Sequence, residues 1–417
     1  MKLVIVESPA KAKKIASFLG DGWRVEASRG HVRDLPRTEL GVDVAHDFRP
    51  SYELLPRKGN LVRRLMKAAK DADAIYLATD PDREGEAIAW HLLQMARLPK
   101  DKPVHRATFT AITKQAVLDA LNNPRQLDTA LVEAQQTRRI VDRLVGYLVS
   151  PLACKTLDGR LSAGRVQSVC LRLVVERERE IDAFTAQTYW TLAVNVSVDE
   201  QAFAAKLHRI RNASPQFTSL DQAQKIAGLL KNAQVWVAKA GQHSKERKPL
   251  PPFTTSSLQQ AAAKGLGLST ERTMQMAQML YEAGLITYHR TDGVSVASEA
   301  QQAAGMVILR QYGEQYLPEK PPVYKTKSAN AQEAHESIRP TDVNHLPDAE
   351  KGEGAALYEL IWQRFVASQM ANATYTVTAA ILHAGQNKQK PFPLELRAQG
   401  RELAFDGFMR VYEEPAD

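Results

Sequence analysis

The stretch Leu77–Ala87, LATDPDREGEA, decides how this chain folds and where its chemistry sits. An apolar run, AIYL, leads into it, and a helical pattern, EGEAIAWHLLQMARL, leads out. Between them Asp80, Asp82 and Glu84 stand at alternate positions. In extended backbone alternate side chains point the same way, so the three carboxylates converge where a strand runs out. The C-terminal edge of a parallel sheet is the usual place for an active site. Three like charges a few ångströms apart repel one another unless protons or a cation compensate, and the hard cation that suits such an oxygen set is Mg²⁺.

A fourth carboxylate arrives at the same edge. KLVIV reads as a buried parallel strand, and Glu7 in VESPAK ends it. Lys11 follows one helical turn later and lies nearby. Working outward, PAKAKKIASFLG is a helix with Pro9 early and Gly20 as its stop. WRVEAS is a strand, NLVRRLMKAAKDA a helix, AIYLATD a strand and VHRATF one more strand. Such alternation predicts a mostly parallel sheet covered by helices. From TKQAVLDALNN to about Phe184 the pattern is helical; then YWTLAVNVSV and QAFAAKLHRI alternate with period two, as half-buried antiparallel strands do. A basic, proline-bearing connector, SKERKPLPPF, marks a hinge. From about Thr254 to Gln369 helices return, with Met276, Met279 and Leu280 on one apolar face and Leu357, Leu360, Ile361 and Phe365 on another. ATYTVTAAILHAG, FPLELRAQG and LAFDGFMRVY close the chain as strands. A β segment split by a helical insertion is one domain carrying another.

Composition sets the remaining bounds. The 417 residues, 44% of them apolar, describe a folded protein of several domains, and the net charge of +8 favours an anionic partner, nucleic acid first. No run of about 18 apolar residues predicts a membrane span, and Glu7 interrupts the N-terminal apolar run too early for a signal peptide. Cys154 and Cys170 are the only cysteines; they form no four-cysteine zinc set and read as packed or inert thiols.

Two further patterns carry chemistry. In YEAGLITYHRTD, Tyr288 stands two residues before Arg290, an unusual setting for a packing tyrosine. On LVEAQQTRRIVDRLVGYLV, Gln135, Arg139, Arg143 and Tyr147 follow one another at i, i+4 steps and share one face. An amide, two guanidiniums and an aromatic ring suit phosphates and one stacked base of a single strand. SAGRVQ, Ser162 to Gln167, opens the next helix, where Arg165 and free amides would hold a phosphate.

A strand-end glutamate followed by D-x-D-x-E is similar to the Toprim domain of topoisomerases, primases and certain nucleases. The likeness goes further. VIVESPAKAKKI, ASRGHVRDLP, IYLATDPDREGEAIAWHL, RRIVDRLVGYLVSPL, LSAGRVQSVCLRLVVEREREI, LITYHRTD and QEAHESIRP, in this order from about Lys2 to the end, strongly resemble the bacterial type IA DNA topoisomerases of the topoisomerase I group. The resemblance implies a multidomain α/β plus α plus β chain. Residues 1–125 would be a Toprim domain with a Rossmann-like parallel sheet, and 126–185 the first part of a helical domain that binds single-stranded DNA. An antiparallel β gate would comprise 186–252 and 371–417, and a helical domain, 253–370, would carry the nucleophile. Together they would form a toroid, closed or open.

It implies roles as well. Tyr288 becomes the nucleophile that forms a 5′-phosphotyrosine, Glu7 the proton donor to the leaving 3′ oxygen, and Lys11 and Arg290 the cations aimed at the phosphate. His335 positions that phosphate or its acid partner. Mg²⁺ sits on Asp80 and Asp82, with Glu7 and Glu84 in the same set, and fixes the 3′ end for religation. No ATP is needed. The DNA route runs along His31, Arg83, Arg138, Arg139, Asp142, Arg143, Tyr147 and the turn Ser162, Ala163, Gly164, Arg165, Val166, Gln167, reaching Arg290. The substrate is negatively supercoiled DNA with single-stranded regions, acted on in the bacterial cytoplasm, at nucleoid or plasmid. Two departures stand out. Cys154 in SPLACKTL replaces the family's common Trp, which predicts a looser base preference near the cut. The sequence also ends at VYEEPAD, where family members continue past FDGF with helices that complete the DNA-binding domain and often with zinc modules. The expectation is a chain without zinc, its ring completed by a partner chain or the missing C-terminal region, and otherwise a monomer. The rival readings are a member that binds or cleaves single strands without efficient relaxation, and a Toprim nuclease with no need of Tyr288.

Overall fold

The structure is a computed structural model that describes residues 1–96, 102–198, 201–325 and 336–413. The first lobe opens with β1 (Lys2–Val6), whose Leu3, Val4, Ile5 and Val6 are all buried, as in a strand covered on both faces. Ser8 caps α1 (Pro9–Ala16) by accepting the Lys11 amide, with Pro9 in the first turn. After β2 (Trp23–Ala27) a long connection carries four short strands, β3 (Arg33–Asp34), β4 (Val42–Asp43), β5 (Arg49–Pro50) and β6 (Glu53–Leu54), paired β3 with β6 and β4 with β5. Then come α2 (Gly59–Asp71), β7 (Ala74–Leu77), α3 (Arg83–Ala96), β8 (Val104–Arg106) and α4 (Lys114–Asn122). The sheet is parallel, in the order β2-β1-β7-β8. Because β1 and β7 are neighbours, with Ile5 opposite Leu77, the residues just beyond their C-terminal ends come together at one edge.

The helical segment that follows comprises α5 (Thr129–Leu144), a π-helical turn at Val145–Val149, α6 (Ser150–Thr156) and α7 (Gln167–Ala183). The SAGRVQ stretch lies ahead of α7 rather than inside its first turn, since helix begins only at Gln167. β9 (Ala193–Val198), β10 (Gln201–Ile210), α8 (Leu220–Lys231) and β11 (Gln234–Arg247) begin the antiparallel sheet. The chain then leaves it for α9 (Thr255–Leu266), α10 (Thr270–Glu282), α11 (Ser298–Tyr312) and α12 (Ala355–Ser368). It returns through β12 (Ala373–Asn387) and β13 (Lys390–Phe405) to give the order β11-β12-β13-β10-β9. FPLELRAQG and the start of LAFDGF form one long strand instead of two, because the ladder to β12 runs unbroken past Gly400, which faces Thr378. The helical lobe is thus an insertion between two neighbouring strands of one sheet.

A single apolar cluster joins the first and the inserted lobes. Val4, Val6, Ile15, Tyr76, Phe109 and Ile112 from one are continuous with Phe253, Tyr281, Tyr288 and Phe365 from the other. No helix among the described residues is long and apolar enough to cross a membrane.

Candidate active site

β7 ends at Leu77, three residues sooner than the apolar pattern implies, and buried Arg106 explains the early end. Its guanidinium donates to the carbonyls of Leu77 at 2.9 Å, Thr79 at 2.8 Å, Asp80 at 2.6 Å and Ala107 at 2.9 Å. Nε is bonded to Glu86, itself fully buried, at 2.9 Å. A charged pair this deep is tolerable because nearly every donor is used. The effect is to clamp the backbone from which the acidic residues project. Gly85 completes the clamp: a Cβ there would lie 2.1 Å from the Asp80 carbonyl oxygen.

The carboxylates then diverge in role. Glu7 Oε1 accepts the Asp80 amide at 2.8 Å, and burial, followed by the neighbouring Asp80 charge, pushes the Glu7 carboxyl up to about 8. Burial would raise Asp80 too, but Lys11 Nζ at 2.5 Å and the Glu7 hydrogen bond hold it down to about 2. At neutral pH Glu7 therefore carries a proton and Asp80 does not. Lys11 is 2% exposed, with the rings of Phe109 and Tyr281 each 5.4 Å from its ammonium. Asp82 accepts the Gly85 amide at 2.8 Å through Oδ1, as a cap of α3, and its Oδ2 faces the inserted lobe. There Tyr288 donates its hydroxyl to Oδ2 at 2.5 Å, with Arg290 Nη1 3.8 Å from the same oxygen. Tyr288 is buried, and burial followed by the Asp82 charge raises its phenol far above the usual range. Its backbone is pinned from both sides: the Tyr288 amide donates to Thr110 of the first lobe at 2.7 Å, and Thr287 bonds Arg339 and Ser337.

Glu84 points elsewhere, to His31 Nε2 at 3.1 Å and Gln135 Nε2 at 3.2 Å, and the His31 bond lowers its pKa. Left-handed Arg29 and Gly30 turn the chain so that His31 reaches it. A cavity of about 780 Å³ lies between the lobes, lined by Glu7, His31, Asp80, Asp82, His289 and Arg290 among others. Among the described residues no three Asp, Glu, His or Cys side chains stand arranged to grip a metal ion. Glu7 holding a proton marks a place with more negative charge than Lys11 alone balances, which a hard divalent cation on carboxylate oxygens would suit.

The α5 face read as a strand groove packs on the first lobe. Arg139 forks onto Asp34 at 2.8 and 2.6 Å; buried Arg143 donates to the carbonyls of Pro36 and Glu39, and Tyr147 to that of Arg37. Arg165 is paired with Asp142 at 3.0 and 3.2 Å. Two amides of the turn are met internally, Ala163 by Ser150 and Gly164 by Ser168. Arg138 remains at the mouth of a second cavity, about 430 Å³, beside Asp142, Glu84 and Arg37, and feels the charge of Arg83. His335 lies outside the described residues.

Three residues at the site were not singled out from sequence. Arg106 ends the short strand β8, VHR, where only its position at the sheet edge could have signalled it. Tyr281 closes the apolar face of α10, and its hydroxyl reaches Asp80 Oδ1 at 3.3 Å. His289, buried beside Tyr288, lines the cavity; burial, then Arg290, lowers its pKa to about 4, and its Nδ1 has no hydrogen-bond partner among the described residues.

A parallel sheet with this acidic edge is the architecture of a Toprim domain, and that domain's pattern matches residues 2–112. The pattern described as DNA topoisomerase matches residues 126–417, and the chain belongs to the DNA topoisomerase family. It is 45% identical over 437 aligned residues to DNA topoisomerase 1 of Rickettsia felis, covering 100% of this chain and 56% of that protein. The corresponding protein of Zymomonas mobilis is 46% identical, with 100% and 34% covered. Full-length topoisomerase I of Thermotoga maritima shares the fold with a TM-score of 0.81 at 35% identity, over 100% of this chain and 68% of that one, in keeping with a toroid-type arrangement of the lobes. The chain spans about half the length of most of the curated relatives it matches.

Proposed function

We propose that this chain breaks one DNA strand through a 5′-phosphotyrosine, lets another strand pass and reseals the break, relaxing negatively supercoiled DNA without ATP. The observation that carries this reading is the Tyr288 hydroxyl on Asp82, delivered from the inserted lobe to the acidic edge. A backbone phosphate enters the cavity between them. The Tyr288 oxygen attacks phosphorus and its proton passes to Asp82, which already accepts it. Protonated Glu7 gives its proton to the departing 3′ oxygen. Arg290, largely exposed, balances the charge that grows on the phosphate, with Lys11 behind it and His335 steadying the phosphate. In reverse, the 3′-hydroxyl returns its proton to Glu7 and Tyr288 recovers its own from Asp82. The phosphotyrosine keeps the diester energy, so no nucleotide is consumed. Asp80 and Asp82 would hold Mg²⁺, whose charge would steady the 3′ end for resealing. His31, Arg83, Arg138, Asp142 and the turn Ser162–Gln167 would guide the strand, with Arg139, Arg143 and Tyr147 holding the groove wall against the first lobe, and the bacterial cytoplasm is the setting.

A 3′-labelled single-stranded oligonucleotide quenched with denaturant tests the reading. Label trapped on the protein supports it; labelled fragments with free 5′-phosphate ends would mark a nuclease instead. A second reading, breakage and resealing without efficient relaxation, is favoured by α7, which has no buried residue and exposes Val169, Leu171, Leu173 and Val174. A plasmid relaxation ladder run beside the oligonucleotide assay separates the two.

A further inference from the structure

We propose that Tyr281 is a positioning residue that latches the inserted lobe to the first lobe and seats Asp80, so that the acidic edge is complete only when the lobes are shut. Tyr281 lies near the end of α10 and is fully buried. Asp80 Oδ1 accepts two donors, Lys11 Nζ at 2.5 Å and Tyr281 Oη at 3.3 Å. The first belongs to the same lobe as Asp80, the second to the opposite one. The Tyr281 ring also lies 5.4 Å from the Lys11 ammonium and edge-on to Tyr288 at 5.3 Å. Parting the lobes removes one donor from Asp80 and one of the two aromatic faces from Lys11, leaving only Phe109. Asp80 and Tyr288 are thus tied to closure through one side chain.

The surrounding contact is shaped for the same approach. Gly284, in the left-handed region at φ +74°, sits where a Cβ would be 2.6 Å from the Ile112 carbonyl oxygen of the first lobe. Four residues on, the Tyr288 amide donates to Thr110 across the same seam at 2.7 Å. A tyrosine present only for packing would not need its hydroxyl, so Tyr281→Phe separates packing from latching.

The Tyr288 amide itself reports closure, because its hydrogen bond crosses between the lobes. In the full chain, Tyr281→Phe should speed hydrogen exchange in the peptide holding the Tyr288 amide about tenfold, the scale of one hydrogen bond to a charged group. Gly284→Ala should act in the same direction by wedging the seam, and it serves as the second variant if the first folds poorly. Exchange at the wild-type rate in both variants overturns the latch. The kinetic arm rests on the proposed strand breakage: with a single-stranded oligonucleotide, resealing should slow about tenfold more than adduct formation does. Cleavage starts from shut lobes, whereas resealing must first bring them together. Both steps falling equally, or neither changing, would count against the assignment. Faster exchange in Tyr281→Phe together with no adduct from the wild-type chain would sink the strand-breakage reading and uphold the latch.

Discussion

The hydroxyl of Tyr288 donates to Asp82 Oδ2 at 2.5 Å, although 206 residues separate the two in sequence. One side belongs to the loop that opens α3, the other to the lobe inserted between β11 and β12. In the proposed reaction that contact would give Tyr288 a proton acceptor before any substrate is bound. Tyr288→Phe should abolish the covalent adduct on a single-stranded oligonucleotide while leaving its affinity unchanged. Asp82→Asn should reduce adduct formation about 10²–10⁴-fold, the usual worth of a positioned proton acceptor. An adduct surviving the loss of the phenol would remove Tyr288 from its role.

In the proposed step Glu7 would carry the acid part. Its folded pKa of about 8 lies above the ordinary 4.5, so the protonated form persists through neutral pH. Cleavage measured against pH should therefore fall as the pH rises through about 8. Glu7→Gln should slow cleavage about 10²–10⁴-fold and remove that descending limb. A limb retained in the variant would assign it to another group.

Much of this was legible in the sequence. Alternate acids at the end of an apolar run placed Asp80 and Asp82 at the sheet edge, because strand geometry fixes side-chain direction. The period change near residue 190 and its return near 373 announced an insertion into a sheet. What could not be read was which donor each charged group would find. Glu84 matched the D-x-D-x-E spacing but begins a helix, and so turns to His31 and Gln135. The i, i+4 stripe of α5 marked one face correctly, yet periodicity does not say what a face meets, and here it meets residues 34–39 of the first lobe. Tyr281 could not be told from any core tyrosine until the partner lobe was in place.

His289 and His91 make stability sensitive to acid. Burial, more than nearby arginine charge in each case, lowers them from 6.5 to about 4 and about 3, so the fold holds both neutral. For a base with a depressed folded pKa the unfolded chain binds the proton first. The stabilisation is whole above about 6.5 and is lost as the pH falls toward the folded value, by about 3 kcal/mol each near pH 4. His289→Met removes one titrating group and the unpartnered Nδ1 with it. Its melting temperature should exceed that of the wild type by more at pH 5 than at pH 7.5, the Glu7 contribution being common to both. Equal differences at the two pH values would show that His289 does not titrate in this way.

The strictest test of the acidic edge needs no charged residue. Gly85 begins α3 so close to the preceding backbone that an added Cβ would stand 2.1 Å from the Asp80 oxygen and 2.9 Å from its nitrogen. Neither side can yield cheaply. The Asp80 carbonyl is bound by Arg106 at 2.6 Å, and the Gly85 carbonyl accepts from Thr79 at 2.7 Å. Gly85→Ala should therefore push Asp80 away from Lys11, with a stability loss of about 1–3 kcal/mol, the range for overpacking. Resealing should suffer more than that loss predicts, because the displaced group lies in the site. Gly228 in α8 is the matched control: nothing lies within 4 Å of its added Cβ, so Gly228→Ala should raise the melting temperature by helix propensity alone, worth up to about 1 kcal/mol. If both variants melt and reseal like the wild type, the edge is softer than these contacts make it, and Asp80 is not held where the chemistry requires.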